Sequence, residues 1–183
     1  MKKKTIRTLL LIAVVLAFFI TPLGYHSKVW LNRLFSKNPE QIPLHERDKL
    51  PDYSWKLKDA QWDFFNFDRS TGKVIFINFW ASWKLPSAAE LEDIQTLYDT
   101  YGNRVDFYII TNEERPPVEE FMIKNKFTFP VTYLIIGERA PMEIMDPPAT
   151  YIIDRDGYIV VREDDIRDWD NTEIHTLLGA LLQ

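Results

Sequence analysis

The chain has 183 residues, 46% of them hydrophobic and 14% aromatic, which suffices for one packed domain and is too apolar for a disordered one. Six of its 22 basic residues (Lys2, Lys3, Lys4, Arg7, Lys28, Arg33) precede residue 34 with no acid among them, leaving 16 to face 27 acidic residues in the remainder; such an acidic bulk repels a phosphate backbone and argues against nucleic-acid binding. The absence of cysteine excludes disulfides, thiolate nucleophiles, iron–sulfur ligation and a lipidated N-terminal Cys.

In chain order, residues 1–7 form a basic tail, and Thr8 to Tyr25 is a run of 18 residues without a charge, close to the roughly 20 that cross a bilayer core. Thr21-Pro22-Leu23-Gly24-Tyr25 offers no small-residue cleavage site, and Tyr25 and Trp30 fall where interfacial aromatics belong. The pattern predicts an uncleaved transmembrane anchor over 8–25. The basic tail predicts a cytoplasmic N-terminus, with the rest of the chain on the far side of the inner (cytoplasmic) membrane, facing the periplasm. Residues 26–50 read as a polar juxtamembrane connector. Its start (Val29, Trp30, Leu31, Leu34, Phe35) is amphipathic enough to lie on the membrane surface, or else is a plain tether.

From Pro51 to the C-terminus the pattern is globular. Short strands are predicted over 53–57 and 62–67, and a buried one over Lys73 to Phe79 (KVIFINF). A helix follows over 86–101, with Leu91, Ile94, Leu97 and Tyr98 on one face and Gly102 stopping it. Val105 to Thr111 is another buried strand; Pro116 and Pro117 suit the first turn of a helix carrying Val118, Phe121 and Met122 inward. A hairpin joins 150–154 to 158–162 around Arg155-Asp156-Gly157, and Asp170 with Glu173 reads as a capping box opening a helix over 171–182. The order predicts an α/β domain, a small sheet covered on both faces.

Several motifs now line up: GKVIFINFWASW (Gly72 to Trp83), Glu90 in the helix behind it, Phe129-Pro130, and PPATYIIDRDG (Pro147 to Gly157). In this order and spacing the chain resembles the membrane-anchored thioredoxin-like proteins of bacteria, the TlpA/ResA type of thiol–disulfide oxidoreductase. The resemblance implies a thioredoxin-like fold, a central mixed sheet flanked by helices with an N-terminal β-hairpin ahead of it. It also implies that Lys84 and Ser87 stand where the family has the attacking and resolving cysteines, that Glu90 matches its redox-tuning acid, and that Pro148 matches its cis-proline. Disulfide exchange needs a thiolate and a second thiol, and neither Lys nor Ser supplies sulfur. In the family the residue before the cis-proline offers its backbone to an extended peptide; here that residue is Pro147, which has no N–H.

Without sulfur, Glu90 reads as a first-turn carboxylate favoured by the helix dipole and paired with Lys84. The tip Trp83-Lys84-Leu85-Pro86, with Trp80 nearby and Pro147-Pro148 opposite, is the candidate binding surface for another cell-envelope protein. The alternative is an oxidoreductase-family subunit that works with cysteines supplied by a partner. A third reading makes Lys84 an amine nucleophile, or Ser87 a serine nucleophile served by a histidine. His26, His45 and His175 are far apart, read as solvated surface residues, and give no zinc spacing. Asp154-x-Asp156-Gly157 hints at calcium, yet its glycine comes too early for an EF-hand loop. Glu163 to Asp170 reads as a solvated acidic face. No cofactor or metal is implied.

Overall fold

The computed structural model describes residues 3–20, 27, 31 and 36–183. Helix α1 (Lys3–Ile20) contains Lys3, Lys4 and Arg7, and so shares only residues 8–20 with the predicted span. Residues 21–25 lie outside the described residues, as do His26 and most of the amphipathic stretch 29–35. Among the described residues no helix is long and apolar enough to cross a membrane.

Among the described residues seven strands form one mixed sheet: β1 (Lys56–Lys58), β2 (Phe64–Asn66), β3 (Val74–Phe79), β4 (Val105–Thr111), β5 (Val131–Tyr133), β6 (Ala149–Ile153) and β7 (Ile159–Glu163). They lie in the order β2-β1-β5-β4-β3-β6-β7. β4 runs parallel to β3 and β5, while β1–β2, β1–β5, β3–β6 and β6–β7 are antiparallel. The central pair is apolar on both faces because both faces are covered: every residue of β3 is buried. Three helices, α2 (Leu85–Tyr101), α3 (Arg115–Asn125) and α4 (Thr172–Leu181), follow β3, β4 and β7.

All three pack into the same core. Leu91, Ile94, Val118, Ile174 and Leu178 meet Phe76 and Ile109 on one side of the sheet. The opposite side (Ile75, Ile77, Tyr108, Tyr151) is closed by Trp55, Leu57 and Phe67 from the N-terminal hairpin region and by Met142 and Met145 of the long β5–β6 connection. The fold is thus a mixed sheet flanked by helices with an N-terminal hairpin, as the resemblance implies.

Several expectations are corrected. The first strand shifts to 56–58 and the second contracts to 64–66, and β5, unpredicted, carries the sheet from β4 to the hairpin through the single pairing Lys58↔Tyr133. The connector predicted to end at Leu50 joins the folded unit from Lys37 onward. Ile42 N donates to Val160 O (2.8 Å), Leu50 N to Gly157 O (2.9 Å) and Ile159 N to Asp48 O (2.8 Å), so this stretch straps the outer edge of β7.

The segment 163–170 is a solvated face only in part: Asp164, Asp165 and Asp170 are exposed, but Glu163 and Trp169 are not. Glu163 is buried, accepts from Glu40 N (2.6 Å) and pairs with Arg167 (2.7 Å), while Trp169 is fully buried. Asp154 spends its carboxylate on the hairpin turn, accepting from Asp156 N (3.0 Å) and Tyr158 N (2.9 Å). Gly157 closes that turn at φ +86, with a side-chain position only 2.8 Å from Tyr53 Oη, so both conformation and space demand glycine.

Candidate functional site

The site grows from the end of β3. Trp80 N donates to Ile110 O (2.9 Å), extending the ladder one residue past β3 before the chain turns. The turn is held by Glu113, whose two carboxylate oxygens accept from Ser82 N (2.6 Å) and Ser82 Oγ (2.7 Å). Lys84 is the N-cap of α2: its carbonyl accepts the first helical bond from Ala88 N (3.1 Å), but its side chain caps nothing. Pro86 in the first turn loses nothing by lacking an N–H.

Trp83 is 72% exposed, and Lys84, Leu85 and Pro86 are half-buried. Trp80 was expected beside them and is instead in the core, 1% exposed, its ring 5.4 Å from that of Phe121. Continuation of the β3 pairing turns it inward. Across the site, Ala149 pairs with Phe79, which places Pro148 beside the chain leaving β3. The Pro147–Pro148 bond is cis; Pro148 is buried and Pro147 half-buried.

Ser87, one helical turn beyond Lys84, is fully buried, and its Oγ has no hydrogen-bond partner. Among the described residues no histidine serves it. His45 is exposed on the strap, and His175 sits between Tyr101 Oη (3.1 Å from Nδ1) and Asp170 (2.9 Å from Nε2), fastening α4 to α2 instead of being merely solvated. A buried hydroxyl with no histidine beside it among the described residues lends the serine-nucleophile reading no support.

Glu90 departs furthest from expectation. It is 1% exposed and forms no ion pair with Lys84, its oxygens being taken up elsewhere. Oε1 accepts from Asn78 Nδ2 (2.7 Å), and Oε2 from Trp169 Nε1 (3.0 Å) and Arg167 N (3.4 Å). Asn78 Nδ2 also reaches Thr150 Oγ1 (2.9 Å). Burial pushes the Glu90 carboxyl up to about 8, and the nearby Asp93 acts in the same direction; the donors from Trp169, Asn78 and Arg167 oppose them without prevailing. Asn78, Thr150 and Trp169 are site residues that the sequence reading missed. Only Asn78 carried a signal, as the lone amide in an apolar run.

A parallel β3–α2–β4 unit, an antiparallel β6–β7 hairpin beside β3, a helix opening just past β3 and a cis-proline facing it define a thioredoxin-like domain. Its redox loop contains no sulfur. The AhpC/TSA family pattern matches residues 47–162, and the chain belongs to that family.

The relatives carry thioredoxin-like or thiol–disulfide oxidoreductase names. The chain is 29% identical over 134 residues to the thioredoxin-like protein YneN of Bacillus subtilis, covering 70% of this chain and 76% of that one. It is 31% identical over 117 residues to the thiol-disulfide oxidoreductase ResA of Oceanobacillus iheyensis, covering 61% of each. Among solved structures, a putative thiol:disulfide interchange protein DsbE from Chlorobium tepidum superposes with a TM-score of 0.62 at 20% identity, over 75% of this chain and 97% of that one. A DsbF homologue from Corynebacterium diphtheriae gives 0.61 at 15%, over 80% and 94%. The solved structures share the thioredoxin-like fold, and the family that the chain belongs to is AhpC/TSA.

Proposed function

We propose that this chain is a redox-inactive member of that family, anchored in the inner membrane through residues 8–25 with its domain facing the periplasm, and that it binds another envelope protein. The observation that carries the reading is the loop itself. It is clamped by Glu113, presents Trp83 at 72% exposure, and holds Lys84 and a buried Ser87 where sulfur would do chemistry. A rigid, mostly solvent-facing aromatic is the kind of anchor that interfaces concentrate on. Leu85, Pro86, Pro147 and Pro148 form its surroundings, and Pro147 has no N–H to clamp an extended peptide, so docking relies on side chains.

The test is a photoreactive amino acid in place of Leu85, activated in cells, with a control probe on the exposed Glu173. One dominant envelope protein captured at 85 and absent at 173 supports docking; equal capture at both positions rejects it. The second reading, a subunit borrowing a partner's cysteines, is favoured by the retained acid at Glu90. It predicts that the captured complex, and neither component alone, reduces a disulfide substrate. Reduction by this chain alone, without added thiol, would overturn both readings.

A further inference from the structure

At the end of the sheet opposite the loop, the β4–β5 ladder begins only at Ile109↔Val131. The next residue back, Pro130, carries no N–H with which to continue it. Leu134 N donates to Thr111 O (2.9 Å), which fixes Thr111 as pointing its main chain toward β5. Alternation along the strand therefore points the Phe107 N–H and C=O the same way, into the gap left below Pro130. That gap is a cleft of about 300 Å³ lined by Arg69, Lys73, Tyr98, Asp106, Phe107 and Tyr108, among others.

Its floor is a hydrogen-bond chain whose direction follows from counting protons. Arg69 Nε donates to Tyr108 Oη (3.2 Å). Ser70 Oγ gives its only proton to Asp106 Oδ2 (2.5 Å). Tyr108 Oη, 2.5 Å from Ser70 Oγ, must then donate to it. Lys73 Nζ reaches the same Asp106 oxygen at 3.0 Å. Ser70 and Tyr108 are buried, at 0% and 1% exposure.

Lys73 thus balances Asp106, and Arg69 is the cation left over. Its guanidinium lies 3.7 Å from the Phe65 ring centroid. Its Nε is committed to Tyr108, and among the described residues no carboxylate pairs with it. A planar fork held on one face and one edge, with the other edge open, is set for two parallel bonds to a carboxylate.

We infer that this notch binds a carboxylate presented by a short extended peptide, with the Nη edge of Arg69 on the carboxylate and Phe107 on the peptide main chain. A doubly charged phosphate is disfavoured, because Asp106 lies in the cleft and only one cation is in surplus. The carboxylate comes from a chain terminus or from an acidic side chain, and both present the same group.

The experiment is an NMR titration of the full chain in detergent micelles, following the Arg69 Nε–H and Phe107 amide signals. The probes are acetyl-Ala-Val-Ala with a free C-terminus, the same peptide as its amide, and acetyl-Ala-Glu-Ala-amide. Saturable shifts with either carboxylate probe and none with the neutral amide are expected, and the tighter of the two identifies the source. Arg69→Gln should weaken binding by about tenfold or more, and Arg69→Lys, which keeps the charge without the fork, should weaken it in the same direction. Equal shifts with the neutral peptide, non-saturating shifts, or wild-type binding by Arg69→Lys would overturn the site.

Discussion

Glu90 shows what one residue's surroundings do to its chemistry. In the sequence it is a carboxylate near a helix start, a place where negative charge is stabilised. Folding buries it under Trp169, 79 residues away, and the cost of burying an ion outweighs three donated hydrogen bonds. The carboxyl ionises near 4.5 in the unfolded chain and near 8 in the folded one. Between those values the folded state holds a proton that the unfolded state has released. Its contribution to stability is therefore full below the unfolded value and is lost as pH rises toward 8. The thermal midpoint should fall from about pH 5 to about pH 8 in the wild type and fall less in Glu90→Gln, which lacks the titrating group. The glutamine has a partner available: Asn78 Oδ1 is buried without one and can turn toward the new amide. Equal pH slopes in the two proteins would mean that Glu90 ionises normally. Trp80 was misplaced for a related reason. Trp80 and Trp83 look alike in WASW, and only the pairing of Trp80 N with Ile110 O separates the buried ring from the exposed one.

Elements announce themselves in proportion to their length and periodicity. The redox-loop helix, the two central strands and the β6–β7 hairpin were legible because apolar spacing runs unbroken through each. β5 was not: three residues behind a proline give no period to read. The start of α4 was read one residue early. Asn171 Oδ1 accepts from Glu173 N (2.9 Å) and Ile174 N (3.0 Å), which makes Asn171 the cap, and Asp170 turns to His175 instead. Asn171→Ala should cost about 1 kcal/mol in urea unfolding. Asp170→Ala removes only a partly exposed pair and should cost less, within about 0–1 kcal/mol. A larger loss at Asp170 than at Asn171 would return the cap to the earlier position.

At the scale of the whole molecule, a seven-stranded open sheet has two edges, and the chain treats them differently. The β2 edge ends in a short strand whose neighbour carries Lys56 and Lys58, stacked over Phe64 and Trp62, the charged termination that discourages further pairing. The β7 edge is covered by residues 37–50, which sequence composition presents as a polar tether because their bonds are made by the main chain and leave no hydrophobic period. Lys37 O accepts from Asp168 N (2.9 Å), and Glu40 N donates to the buried Glu163 (2.6 Å), whose remaining partner is Arg167. A domain begun at residue 51 forfeits these bonds together with those of Ile42, Asp48 and Leu50, and leaves Glu163 less satisfied at a bare strand edge. At roughly 1 kcal/mol net per bond, it should unfold several kcal/mol more easily in urea than a domain begun at residue 36, and should associate as concentration rises. Both pieces lack α1, so the comparison isolates the strap. Equal urea midpoints with no association would mean that β7 stands as an edge on its own and that the strap merely rests on it.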